Sequence, residues 1–253
     1  MYALSITYVI LFYVASLILF VGLGRRIYKY ATTPAPLKIP TMPAPITKTG
    51  VAMRIGREVV FFESLFKSNK WIWIFGWIFH LSLLLAFFRH LRYVVSPDSF
   101  VGMIVSLELV QVAGSYAGFT MLLGLAGLLA RRIFVERIRY ISNPSDYLML
   151  LLILGIAGTG VLMTYVSHID VVMFKDFVVG LITFQPGSNL PESVILLAHL
   201  GMVIALMIVF PISKLLHAPG VFFSPTRNQV DNAREKRHIV EWAKPLDSTR
   251  GSK

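Results

Sequence analysis

WIWIFGWIFHLSLLLAFFRHLRYVV, residues 71–95, carries no charge before Arg89. A helix crosses roughly 30 Å of hydrocarbon in about 20 residues, so this run is long enough to span a bilayer. Two imidazoles, His80 and His90, sit inside it. Polar side chains are costly in hydrocarbon, which makes each a packing contact or a functional group. Four more apolar runs of comparable length lie near 3–24, 100–130, 146–167 and 192–214. The last of these leads from His199 to a fourth imidazole at His217.

Composition agrees with that reading. Of 253 residues, 56% are hydrophobic, and the mean hydropathy of +0.69 exceeds that of soluble domains. The expected fold is an all-α integral membrane protein, a bundle of five transmembrane helices. The chain has no cysteine, which excludes disulfides, iron–sulfur clusters and covalent haem attachment within it. The first run has no basic segment before it and is followed by Arg25 and Arg26, the flank of a retained anchor.

Charge gives orientation. Of the 24 Lys and Arg residues, all but Arg89, Arg92 and Lys175 fall in segments 25–70, 131–145 and the stretch from Lys214 onward. Positively charged loops stay cytoplasmic. The N-terminus is therefore expected outside and the C-terminus in the cytoplasm of a multi-pass protein of the inner (cytoplasmic) membrane. The net charge of +11 then reports topology and attraction to anionic lipid of the bilayer. These charges flank spans and form no single basic domain, so nucleic acid is not an expected partner.

Residues 1–220 are expected to form the membrane domain, with a cytoplasmic loop at 25–70, and residues 221–253 a cytoplasmic tail. The loop opens with the proline-rich TTPAPLKIPTMPAP, expected extended. It continues as MRIGREVVFFESLFKSNKW, where Val59, Val60, Phe62, Leu65 and Phe66 recur near helical spacing. This reads as an amphipathic interfacial helix or as an ordinary juxtamembrane linker. After span four, HIDVVMFKDFVVGLITFQPGSNLPE is too apolar for a solvated loop. An interfacial helix is expected in its middle, ended by Pro186 and Gly187, with Asn189, Pro191 and Glu192 starting span five. Glycines 114, 118, 124, 127, 155, 158 and 160 suit close helix packing or clearance for a porphyrin face.

Neutral imidazole is an axial ligand of haem iron. His80 and His90 are separated by about 15 Å of helical rise, and His199 and His217 by about 27 Å. The two spans run in opposite directions, so His80 pairs with His217 near the cytoplasm and His90 with His199 toward the outside. Four ligands suffice for two b-type haems, one near each face. The mismatch of about 12 Å requires tilt or a bend, and Pro211 supplies a place for a kink. His168 and His238 read as surface residues, His168 with a secondary role at a quinone site.

Five spans, an outside N-terminus, and histidines ten apart on span two and eighteen apart on span five resemble the respiratory nitrate reductase gamma-subunit (cytochrome b) superfamily. The likeness covers about residues 1–220. It implies haem b ligation by His80 and His217 at the inner site and by His90 and His199 at the outer site. It also implies quinol chemistry near the outer haem. Within that superfamily, RIGREVVFFESLFKSNKWIWIFGWIFH and the proline-bearing loop look more like the membrane cytochrome of the dissimilatory sulfite-reduction-associated complex. That branch implies a cytoplasmic iron–sulfur partner similar to heterodisulfide reductase. Further membrane subunits and an external multihaem cytochrome c are implied with it.

Arg89 and Arg92 flank His90 and read either as snorkelling cations or as partners for a haem propionate or a quinone. Lys214 and Arg131 or Arg132 are the corresponding cations at the inner end. Glu108, the only carboxylate of span three, and His168 are candidates for proton relay at the quinone site, with Asp170 a weaker one. Glu108 reads equally as the cap of a shorter helix. The expected function is quinone-linked electron transfer, as an oxidoreductase subunit acting within a complex. It would run through two haem b groups between menaquinone or ubiquinone and the iron–sulfur partner, in sulfur-compound respiration or oxidation. The alternatives are a non-redox membrane anchor and the gamma subunit of a nitrate-reductase-type enzyme. A transporter fits poorly, because no internal repeat is evident.

Overall fold

The computed structural model describes residues 2–34, 39–232, 239 and 241–248. His238 and residues 35–38 of the proline-rich stretch lie outside the described residues. Among the described residues all regular structure is helical, and five helices are long and apolar enough to cross a membrane.

The first helix, α1, spans Ala3–Thr32 and runs on past its apolar part through Arg25, Arg26 and Lys29. The loop after it is a folded platform and no mere linker. Its helices are α2 (Lys48–Phe61), capped by the Thr47 side chain accepting from Gly50 N, and α3 (Glu63–Ser68). Between them Phe62 adopts φ 51°, ψ 47°, a left-handed turn that ends α2. Span two is α4 (Lys70–His90), capped by Asn69 and continued by a 3₁₀ turn over Leu91–Tyr93. The Trp73 and Trp77 indoles donate to Phe61 O at 2.6 Å and Val60 O at 3.2 Å, tying α2 to α4.

The expected single span at 100–130 is two helices, α5 (Phe100–Ser106) and α6 (Glu108–Phe134). Leu107 breaks them with ψ 133°. Gln111 Nε2 donates to Val105 O at 2.7 Å and so satisfies a carbonyl that the break releases. Glu108 is thereby an exposed residue in the first turn of α6, at the start of the apolar span. There its charge complements the helix dipole.

A short helix α7 (Glu136–Ile141) leads to α8 (Pro144–Tyr165), which begins with a reciprocal capping box between Asn143 and Asp146. The apolar connection that follows does hold a helix, α9 (Val171–Ile182), capped by Asp170 through Met173 N. It ends before Pro186, at Thr183 and a left-handed Phe184. Span five, α10 (Val194–Val209), starts at Ser193, whose hydroxyl accepts from Leu196 N. Asn189 instead accepts from Tyr2 N at 2.8 Å.

Span five is not one kinked helix. The α10 helix gives way to a 3₁₀ turn at Phe210–Ile212, an extended Ser213 (ψ 172°), a second 3₁₀ turn at Lys214–Leu216, and the single turn α11 (His217–Gly220). Pro211 lacks an N–H and its ring collides with the preceding turn, so the helix stops there. The break is braced from α1: Gly22 leaves room for the Pro211 ring, and Arg26 Nε donates to Pro211 O at 3.3 Å. His217 therefore does not continue the helical phase of His199.

The spans pack in the order α4–α6–α8–α10–α1. One core joins α4, α6 and α8 through Phe79, Met121, Leu125, Ile153 and Ala157. The other joins α1, α9 and α10 through Val9, Phe177, Leu190, Leu196 and Leu200. At the α4–α6 seam a Cβ on Gly124 would lie 3.0 Å from both Phe75 O and Phe79 N. Gly124 thus lets the two backbones touch, and Gly114 does the same for Arg89. Large apolar side chains such as Leu17, Phe20 and Leu148 point outward, as lipid-facing residues do.

Candidate haem centres

Helix α4 carries His80 and His90 on one continuous rod, whereas α10 carries only His199 and the segment beyond its break carries His217. The structure brings His80 and His217 together, with ring centroids 6.0 Å apart and planes at 81°. A metal about 2 Å from one nitrogen of each ring separates two imidazole centroids by roughly that distance. Phe62 and Phe79 set their edges on His80 at 4.9 and 4.8 Å, walling that pair with apolar rings. His90 closes α4 and His199 lies within α10, the two residues assigned to the second site.

The proton positions follow from the partners. Nδ1 of His80 faces Gly76 O at 2.7 Å, that of His90 faces Ala86 O at 2.6 Å, and that of His217 faces Lys214 O at 2.8 Å. A carbonyl oxygen only accepts, so each Nδ1 carries the hydrogen and leaves the Nε2 lone pair free. His199 Nδ1 meets Thr159 Oγ1 at 2.9 Å, while that hydroxyl points its own proton at Gly155 O, 2.7 Å away. Thr159 therefore accepts from His199. All four rings are held in the tautomer and orientation of a metal ligand whose second nitrogen is anchored.

Two ligands per site are too few for a bare ion, which takes four or more. Among the described residues no cluster of three His, Cys, Asp or Glu side chains is placed to hold one. A pair of opposed imidazoles suits an iron that already has four equatorial nitrogens, which is a haem. The residues present fit that group.

Beyond His90, Arg92 is partly buried. Its guanidinium donates to Tyr93 Oη at 2.8 Å and to Gln111 Oε1 at 3.5 Å, stacks over the Tyr93 ring, and keeps its buried Nε without a partner. Tyr93 in turn meets Phe174 of α9 edge-on at 5.1 Å. Arg89 lays its aliphatic stem on Gly114. Glu108 stands one turn before Gln111 on the same face of α6, and His168 is exposed in the α8–α9 connection. Lys214 and Arg132 are both engaged by Asp146, at 2.7 and 3.4 Å.

Sequence reasoning missed Thr159, Tyr93, Gln111 and Asp146. Asp146 had a readable signal, the Asn-Pro-Ser-Asp capping box. Thr159 had none, because its role depends on which face of α8 meets α10.

Comparison with known proteins follows the same lines. The model of the nitrate reductase gamma subunit family matches residues 58–232. The chain is 35% identical to the Hdr-like menaquinol oxidoreductase cytochrome b-like subunit of Archaeoglobus fulgidus, covering 92% of this chain and 82% of that protein. It is 32% identical to the subunit of the same name from Archaeoglobus profundus, covering 91% and 80%. The nitrate reductase gamma chain of Bacillus subtilis is 34% identical over 55% of this chain. With five apolar spans, a family model matched over most of its length and a relative 35% identical, the chain belongs to the nitrate reductase gamma subunit family.

Proposed function

We propose that this chain is the membrane cytochrome b subunit of a quinone-linked oxidoreductase. His80 and His217 would hold one haem b at the cytoplasmic end, and His90 and His199 a second toward the outside. Bound there, the haems supply one-electron carriers linking a two-electron quinone couple to a cytoplasmic iron–sulfur partner. The observation that carries the reading is the tethering of all four Nδ1 atoms, which leaves four free Nε2 atoms on α4, α10 and α11.

The chain's own residues do the rest. Gly76, Ala86 and Lys214 carbonyls and the Thr159 hydroxyl hold the rings and raise their basicity. Arg92, with an unpaired buried N–H, offers a cation to a propionate or a quinone oxygen, and Arg89 reinforces the positive potential. Glu108 and His168, both exposed, take the protons that quinol oxidation releases.

The names of the Archaeoglobus relatives favour menaquinone as the quinone and an Hdr-like complex as the setting; an iron–sulfur partner and sulfur-compound metabolism are what the resemblance to the sulfite-reduction-associated cytochrome implies. The strong Lys and Arg asymmetry favours an outside N-terminus and a cytoplasmic C-terminus in the inner membrane.

A reduced-minus-oxidised visible spectrum of the purified chain tests the proposal, with haem quantified per chain. A b-type alpha band and two haems per chain are expected. No alpha band after haem-sufficient expression would leave a non-redox membrane anchor as the reading.

A further inference from the structure

The break at Pro211 creates a mechanical problem at the cytoplasmic end. His80 is fixed by an unbroken helix, but His217 lies beyond an extended residue and two 3₁₀ turns. Helical continuity with α10 cannot place its ring, so tertiary contacts must. Among the described residues, one ion pair reaches that segment from another span. Asp146, at the start of α8 and only 5% exposed at its side chain, bonds Lys214 Nζ at 2.7 Å. Three residues later the backbone carbonyl of Lys214 receives the Nδ1 hydrogen of His217.

Asp146 is itself immobilised. Its Oδ2 accepts from Asn143 N at 3.1 Å in the capping box and from Arg132 at 3.4 Å. Arg132 also holds Ser142 Oγ at 2.8 Å, and Tyr147 Oη donates to Arg132 O at 3.0 Å. The ends of α6 and α8 thus form a rigid seat. The Lys214 side chain is 69% exposed, and an ion pair between two such exposed groups would do little. Here the carboxylate is buried and fixed, so the lysine is drawn to one place.

We propose that Asp146 is a positioning residue for the His217 ligand: through Lys214 it sets where the broken end of span five presents that imidazole to His80. The inference rests on the proposed ligation by His80 and His217. Nothing comparable is needed at His199, which lies within α10 and is held by Thr159.

The test uses membranes containing the full chain with its native partners, comparing wild type with Asp146→Asn, Lys214→Met, Lys214→Arg and His217→Ala. Redox titration of the alpha band and the low-spin ferric EPR signal, which reports the angle between ligand planes, are read for each haem. Asp146→Asn and Lys214→Met should alter the inner component alone. The expected change is a partial loss of occupancy or about a tenfold change in relative affinity for the two iron states, about 59 mV for one electron. Lys214→Arg should restore the wild-type signal. If Asp146→Asn does not assemble, Lys214→Met carries the test.

The inference is overturned if both variants leave the inner component as in wild type, or if they disturb both components equally. His217→Ala separates the two levels. If it leaves both haem components in place, the ligand assignment itself fails. If it removes one component that Asp146→Asn and Lys214→Met leave untouched, only the positioning role fails.

Discussion

Replacing Thr159 by valine removes one oxygen from the protein and keeps the shape of the side chain. In the structure that oxygen accepts the Nδ1 hydrogen of His199 at 2.9 Å, and His199 is a buried residue. The hydroxyl also bonds to its own helix, but Gly155 O already accepts in the α8 backbone ladder, so losing that bond is tolerable. The loss at His199 weighs more, because the Thr159 oxygen is the acceptor set at hydrogen-bond distance from its Nδ1. A net hydrogen bond is worth about 0.5–1.5 kcal/mol, and an orphaned buried donor costs about 1–3 kcal/mol.

The part of that energy that matters is the part that differs between the ferric and ferrous states. A bonded Nδ1–H makes Nε2 a stronger donor, which favours the ferric state. Removing the bond should therefore raise the midpoint potential of the haem proposed for His90 and His199. If about 1 kcal/mol of the bond discriminates between the states, the shift is roughly 40 mV, taking 59 mV as tenfold for one electron. Potentiometric titration of the alpha band in membranes reads this directly, with the other haem as internal control. An unmoved outer component, or a shift confined to the inner one, would refute the argument that Thr159 sets the His199 ligand.

Two further outcomes follow from the same geometry. His80→Ala and His90→Ala should each abolish a different component of the proposed two-haem spectrum, since His80 faces His217 and His90 is assigned to the other haem. Loss of the same component in both variants would break the pairing. Gly124→Ala should lower the melting temperature in detergent by an amount equivalent to about 1–3 kcal/mol, the usual cost of overpacking. Its Cβ would press on backbone atoms of α4 at 3.0 Å, which cannot move aside as a side-chain tip can. An unchanged melting curve would show that the α4–α6 seam is looser than described.

The five spans were legible in the chain because a bilayer demands long apolar runs, and those runs survive any detail of packing. The four histidines were legible for the same reason: imidazole is rare and costly there, so its positions stand out. The capping sequence Asn-Pro-Ser-Asp at the start of α8 was readable but went unread, while Pro211 marked the weak point of span five. The consequences of these signals were not legible. Leu107 splits span three and moves Glu108 to an exposed helix start, because Gln111 offers the freed Val105 carbonyl a partner. Pro211 ends α10 outright instead of bending it, because Gly22 and Arg26 of α1 stabilise the broken end.

Spacing alone left about 12 Å of mismatch between the two histidine intervals, calculated as though each span were one rod. The broken end of span five removes that premise and lets His217 reach His80. Thr159, Arg92 and Asp146 acquire their roles only from neighbours on other helices, 40, 19 and 68 residues away along the chain. Hydropathy and residue type act locally and can be read in order. Ligand tautomer, cation pairing and the place of a ring depend on which helix faces meet, and only the packed bundle decides that.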